Sequence, residues 1–124
     1  MLRMNAGFAI GVDCEETKRF ENMNKRTLER IFTKKEIEYC MKKARPAQHF
    51  AVRFAAKEAI IKCFGNLGKR VLIDQIEISK RPNGAPQAKA KTQEKYEIRM
   101  SMSHSGGMAI AFAAVELKYA GGRK

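Results

Sequence analysis

Large apolar residues take every second position of Phe8-Ala9-Ile10-Gly11-Val12, the period of a β-strand. Asp13 follows, with Glu16 three residues on. An acid at a cap and another in the first turn suit a helix N-terminus, so the pattern predicts a basic helix from there to about Phe32. Thr33-Lys34-Lys35-Glu36 has the form of a capping box and predicts a second, short helix that stops before Arg45-Pro46. Pro46 fits the first turn of a third helix. Phe50, Phe54 and Ile61 run along one stripe of it, with alanines at 51, 55, 56 and 59, to about Phe64 and a stop at Gly65.

Beyond Gly65 the period changes. Val71–Ser79 is rich in β-branched residues and predicts a strand, and the Asn83-Gly84 pair after Arg81-Pro82 predicts a tight hairpin turn. Tyr96, Ile98, Met100 and Met102 alternate with Glu97, Arg99 and Ser101, the pattern of a half-buried strand. Ser105-Gly106-Gly107 predicts a turn. Met108–Val115, eight apolar residues in a row, predicts a strand covered on both faces. The last residues, 120–124, read as a frayed tail. A strand, a block of helices and a block of strands make an α+β fold, helices packed on a mostly antiparallel sheet. With 124 residues, one domain spanning 1–124 is expected.

The hydrophobic fraction of 44% is that of a globular chain and excludes wholesale disorder. The longest apolar run falls far short of the roughly 20 residues that span a bilayer, so no membrane partner is expected. Met1–Val12 holds one Arg and a short apolar patch broken by Gly7 and Gly11, too little for a signal peptide. Cys14, Cys40 and Cys63 lie far apart with no CxxC, which points away from a disulfide framework or a zinc site and towards a reducing cytoplasm. Lys and Arg number 25 against 13 Asp and Glu, a net charge of +12. Twelve basic residues face four acids within residues 17–57. That surplus is either a solvated helical surface or a face for an anionic partner, such as nucleic acid, a phosphorylated small molecule or an acidic protein.

Three groups of side chains could carry chemistry. Glu58 falls between Phe54 and Ile61 on the third helix, among core residues, where an ionised carboxylate needs a metal, a cation or a hydrogen-bonded partner. Lys62, four residues on, offers an ordinary helix ion pair as the plainer reading. Asp13 ends the first strand. It is either a helix cap or, if it converges with Glu58, half of a carboxylate pair of the kind that holds Mg²⁺ together with substrate phosphates. His104, in Ser103-His104-Ser105-Gly106-Gly107, is either structural or a phosphate contact. No GxSxG accompanies it, and Gly65-Asn66-Leu67-Gly68-Lys69-Arg70 lacks the spacing of a nucleotide P-loop.

Taken together, several segments resemble the holo-(acyl-carrier-protein) synthase family of small 4′-phosphopantetheinyl transferases. They are Ile10-Gly11-Val12-Asp13 with Glu16 and Arg19-Phe20; Arg30–Glu36 with Tyr39-Cys40; Arg53-Phe54-Ala55-Ala56-Lys57-Glu58-Ala59 with Lys62; Asn83-Gly84-Ala85-Pro86; and Ser101–Ser105. The RFAAKEA block is the specific one. The resemblance implies a 4′-phosphopantetheinyl transferase fold. It also implies Mg²⁺-dependent transfer of the 4′-phosphopantetheine arm of coenzyme A to a serine of apo acyl carrier protein, with release of adenosine 3′,5′-bisphosphate. Asp13 and Glu58 are then the metal carboxylates and Lys62 the residue that meets the departing phosphate. Arg53, Asn83, Gly84, Pro86, His104 and Ser105 are parts of the coenzyme A site. The resemblance further implies a homotrimer with sites between subunits. Ala85, where the family commonly has Lys, and Cys14, in place of the usual Ile, are departures. The carrier's serine would lose its proton to Glu58 or to a metal-bound water. Lys18, Arg19, Lys25 and Arg26 are expected to meet an acidic carrier.

A nucleic-acid-binding module would share the charge. It would not share the aromatic pattern, because Phe50, Phe54 and Phe64 fall at core spacing on a helix and no aromatic pair on a strand suggests a stacking platform. No nucleic-acid partner is expected. A silent carrier-binding homologue is disfavoured by the retained Asp13, Glu58 and Lys62.

Overall fold

The computed structural model of the chain describes residues 7–118. Strand β1 (Phe8–Glu16) leads into helices α1 (Lys25–Ile31), α2 (Lys34–Met41) and α3 (Pro46–Asn66), followed by strands β2 (Ile76–Lys80), β3 (Pro86–Ala90), β4 (Tyr96–Ser105) and β5 (Met108–Leu117). All pairings are antiparallel. The order β1-β5-β4 makes a three-stranded sheet, and β2-β3 form a separate hairpin. The chain is α+β, as expected.

The 21-residue helix α3 is the hub. It is buried on most of its surface, from Phe50 to Phe64, rather than along one stripe, as expected for a helix with apolar residues around most of its circumference. One side packs on the sheet through Ala55, Ala56, Ala59, Ile60 and Cys63 against Ala9, Ala111, Ala113 and Val115. The other packs through Phe50 and Phe54 against Phe20, Leu28 and Phe32. Gly11 sets the closeness of β1 to α3, since a Cβ there would lie 2.3 Å from the Ala59 carbonyl oxygen.

Several expectations need correction. The chain does not turn helical at Asp13: β1 continues to Glu16 because each residue stays paired, Asp13 opposite Ala111 and Glu15 opposite Ala109. A 3-10 turn over Thr17–Phe20 follows, and α1 starts only at Lys25, capped by the Asn24 side chain. Asp13 therefore caps no helix. Helix α3 runs past Gly65, and Gly68 takes the left-handed conformation (φ 75°) beyond its end. The strand predicted at 71–79 begins at Ile76, after a 3-10 turn. The β2–β3 loop is longer than a two-residue turn, closing through an Arg81 N–H to Ala85 carbonyl bond. By contrast, β4 and β5 meet in the predicted tight turn, with Gly106 and Gly107 both at positive φ (58° and 82°). The predicted tail at 120–124 lies outside the described residues.

β5 is covered on one face only. Ile10 and Val12 of β1 and Ile110 and Phe112 of β5 are 46–53% exposed, and Phe8 and Met108 extend this apolar face. The continuous apolar run does not reflect two buried faces in the chain by itself.

The Thr33–Glu36 capping box forms, and it does more than cap. Both Glu36 and Lys57 are fully buried and pair at 2.8 Å. The Glu36 carboxylate also accepts from the Thr33 and Ile78 backbone N–H groups, and Lys57 Nζ donates to the Ile31 carbonyl at 2.8 Å. Burial pushes the Lys57 ammonium below its ordinary pKa, against the pull of Glu36. This network ties α2, α3 and β2 together.

Candidate active site

The close approach at Gly11 brings the next inward-facing residue of β1, Asp13, against the last turns of α3. Lys62 Nζ donates to Asp13 Oδ1 at 3.1 Å and to the Val12 carbonyl at 2.9 Å. The helix pair Glu58–Lys62 does not form, because the ammonium reaches across to β1 instead. Asp13 Oδ2 is buried and has no hydrogen-bond partner among the described residues. Glu58 is half-buried one helical turn before Lys62. Burial, and then the charge of Asp13, lift its carboxyl above the ordinary carboxylate range, with Lys62 and Arg19 opposing. The two acids thus act on one another, and their repulsion is only partly compensated.

A third acid stands beside Asp13. Glu15 faces the same side of β1 as Asp13. Its carboxyl is pushed up to about 7 by burial and then by the neighbouring Asp13 carboxylate, with Arg19 opposing. Arg19 Nη1 donates to Glu15 Oε1 at 2.7 Å, and the guanidinium lies over the Phe54 ring, 4.8 Å from its centroid.

A second cluster lies at the other side of the molecule, where α3 meets α2 and β4. Arg53 is buried, its guanidinium 4.3 Å from the Tyr39 ring centroid and its Nε without a partner among the described residues. Lys43 Nζ is 4.5 Å and Lys80 Nζ 5.9 Å from the same ring. Burial would raise the Tyr39 phenol, but hydrogen bonding to Lys80 and Lys43 and the charges of Lys80 and Arg53 outweigh it and lower its pKa. The His49 and His104 rings are 6.0 Å apart. Burial, and then the positive charges of Arg53, Lys43 and Lys80, hold His49 below its ordinary value. A cationic cluster of this density accommodates a phosphate. Lys80 ends β2, so the exposed turn with Asn83 and Gly84 starts beside this cluster. Asn83 Oδ1 accepts from the Ala85 N–H at 2.9 Å and Gly84 sits at φ 90°. Pro86 opens β3, and Ser105 is exposed at the end of β4.

The structure thus brings Asp13, Glu58 and Lys62 together at β1 and gathers Arg53, His104 and the β2–β3 turn at β4. These strands are the two opposite edges of the three-stranded sheet. The two sets also point away from each other around α3: five residues separate Arg53 from Glu58, roughly 140° about the helix axis. Lys18 and Arg19 lie on the 3-10 turn, Lys25 and Arg26 on α1, and all four are exposed. Sequence reasoning missed Glu15, Lys43, His49, Lys57 and Lys80. Glu15 was recoverable: had the alternation of β1 been extended to residue 16, positions 13 and 15 would have shared a face.

Residues 9–113 match the model of the 4′-phosphopantetheinyl transferase superfamily. A holo-(acyl-carrier-protein) synthase from Geotalea daltonii is 38% identical over 122 residues, covering 88% of this chain and 98% of the relative. One from Clostridium acetobutylicum is 35% identical over 119 residues, covering 87% and 96%. Among solved structures, a holo-(acyl-carrier-protein) synthase from Bacillus anthracis in complex with CoA (3′,5′-ADP) superposes with a TM-score of 0.75 at 30% identity, covering 89% of this chain and 96% of that one. The Helicobacter pylori synthase in complex with coenzyme A gives 0.73 at 31% identity, covering 86% and 99%. The acid–lysine group on β1 and α3 therefore sits within a match that spans most of the chain, and the chain belongs to the 4′-phosphopantetheinyl transferase superfamily.

Proposed function

We propose that the protein is a holo-(acyl-carrier-protein) synthase, which moves the 4′-phosphopantetheine arm of coenzyme A onto a serine of apo acyl carrier protein and releases adenosine 3′,5′-bisphosphate. The observation that carries the reading is the meeting of Asp13, Glu58 and Lys62 at one point of a chain whose relatives bear that name.

The residues fit a divalent cation. Asp13 presents a buried, unpartnered oxygen, and Glu58 is raised by burial and by Asp13. A hard cation would relieve both, so Asp13 and Glu58 would hold Mg²⁺. When bound, Mg²⁺ neutralises charge on the diphosphate. The chain's own groups do the rest. The serine oxygen attacks the β-phosphorus and the bond to the bridging oxygen breaks. Lys62 moves onto the phosphate that leaves with adenosine 3′,5′-bisphosphate and offsets its charge. Glu58, or a water on the bound ion, would take the serine proton.

The cationic cluster of Arg53, Lys43 and Lys80, with the His49 and His104 rings beside it, is our assignment for coenzyme A phosphate, with Asn83, Gly84, Pro86 and Ser105 flanking it. This cluster and the acids occupy opposite sheet edges, so packing of two copies edge to edge would bring one copy's acids beside its neighbour's cluster. A head-to-tail ring of three, closed over the apolar face of Ile10, Val12, Ile110 and Phe112, would join one copy's β1 edge to its neighbour's β4 edge. Lys18, Arg19, Lys25 and Arg26 form the docking face for an acidic carrier. Cys14, Cys40 and Cys63 are free thiols, which suits a reducing cytoplasm.

The test is intact-mass analysis of an apo acyl carrier protein incubated with this protein, coenzyme A and Mg²⁺. The carrier gains the phosphopantetheine arm on its serine, adenosine 3′,5′-bisphosphate accumulates in equal amount, and a chelator stops both. An unmodified carrier under these conditions overturns the reading.

A further inference from the structure

The acids at β1 include one that the transfer chemistry leaves without a role. Glu15 is inward-facing, its side chain only 14% exposed, and it is tied to the strand by pairing opposite Ala109. Its partner Arg19 is 54% exposed and stands on the single 3-10 turn that follows β1. The guanidinium is held twice: Nη1 bonds Glu15 at 2.7 Å, and the group lies over two adjacent rings, 4.8 Å from the Phe54 centroid and 5.7 Å from the Phe20 centroid. The ion pair uses one of the five guanidinium N–H donors. The rest of that fixed fork stays at the surface.

We infer that Glu15 is a positioning residue for carrier docking: with the Phe54 ring, it fixes the Arg19 guanidinium so that its free edge is presented, already ordered, to an acidic side chain of the incoming carrier. The inference rests on the docking role proposed for Arg19. An unrestrained Arg on a surface turn samples many rotamers and loses that freedom when a partner binds; one already held has less to lose. The arrangement also fixes the place of docking. Arg19 is anchored to Glu15, two residues from Asp13, and to Phe54, one helical turn before Glu58, so a carrier bound to its free edge is referenced to both proposed metal carboxylates. A Glu15 that merely neutralised Arg19 would act in the opposite sense, weakening the attraction for an acidic carrier.

The two senses are separated by steady-state kinetics with varied carrier and varied coenzyme A, on the full chain. Glu15→Ala is expected to raise the KM for carrier roughly three- to ten-fold, the scale of one side chain newly immobilised at an interface, with a smaller change in the KM for coenzyme A. Glu15→Gln retains an acceptor for the guanidinium and recovers part of the loss. Arg19→Lys, an exposed change that keeps the charge and gives up the fork, raises the carrier KM like Glu15→Ala and serves if the latter does not fold. In the double variant Glu15→Ala/Arg19→Ala the carrier KM equals that of Arg19→Ala alone, because Glu15 works only through Arg19. A carrier KM lowered by Glu15→Ala, or effects of the two substitutions that add, overturns the inference. So does a loss confined to divalent-ion binding, measured by Mn²⁺ titration, with the carrier KM unmoved. Arg19→Ala with a normal carrier KM removes the docking role and this inference with it, while leaving the transfer reaction standing.

Discussion

Lys62 Nζ stands 3.1 Å from Asp13 Oδ1 and 2.9 Å from the Val12 carbonyl oxygen, so the ammonium of α3 neutralises the acid of β1 beside the close approach of strand and helix at Gly11. It occupies the carboxylate that we assign to the divalent ion. Lys62→Met should therefore tighten Mn²⁺ binding, followed by calorimetry without coenzyme A, while lowering kcat by about 10²-fold, the usual cost of removing one charge-stabilising group. Weaker Mn²⁺ binding in the variant would contradict this relation.

Glu58→Gln keeps the size of the side chain and removes its charge. Transfer should fall by roughly 10²–10³-fold. The thermal stabilisation that Mg²⁺ gives the wild type should shrink, because a ligand that binds the folded form less well stabilises it less. Retained transfer would remove Glu58 from the chemistry.

The pH dependence of stability has a defined sign. Glu15 is raised from 4.5 to about 7 in the folded chain, and Glu58 is raised as well. Between the unfolded and folded values the native state binds the extra proton, so stability from these groups is present at low pH and is lost as pH rises through the folded pKa. In chelator, the wild-type melting temperature should fall relative to that of Glu15→Gln between about pH 4.5 and pH 7. A difference between the two proteins that stays constant with pH would contradict the placement of Glu15.

Lys57→Met should leave Glu36 charged in the core with only two backbone donors. Removing one partner of a buried pair costs about 3–5 kcal/mol, a large share of a small domain's stability. Urea unfolding reads this directly.

Ile10→Glu or Phe112→Glu puts a carboxylate on the bare sheet face. Sedimentation should find a trimer for the wild type and a monomer for the variants. The monomers should be poor transferases, since the acid group and the cationic cluster no longer meet across subunits.

The local signals that survive in the structure are those fixed over short range. The capping box at Thr33–Glu36, the Gly106-Gly107 turn and the alternation of Tyr96 to Met102 hold as read. The first helix fails because Asp13 and Glu16 look like a cap only until β5 is known to pair with them; ladder hydrogen bonds then outweigh the local preference. The two covered faces assigned to β5 fail for a related reason: an apolar run records burial in an assembly as readily as burial in one chain. Residue type, position and resemblance point to Asp13, Glu58 and Lys62, but the partner that Lys62 chooses depends on a strand-to-helix distance that sequence spacing does not contain. The pairing of Glu36 with Lys57 was hidden for the same reason, as the two lie on different helices.

That distance has its own consequence. With hydrogen alone at position 11, β1 rests on the Ala59 carbonyl, and even a methyl would force strand and helix apart. The reach from Asp13 to Lys62 is thus gauged by main chain against main chain. Swapping acids or lysines can change which atoms meet there but not how far apart their anchors stand, so any retuning of this centre for a larger ion or a bulkier phosphate has to begin with the seating of a whole strand.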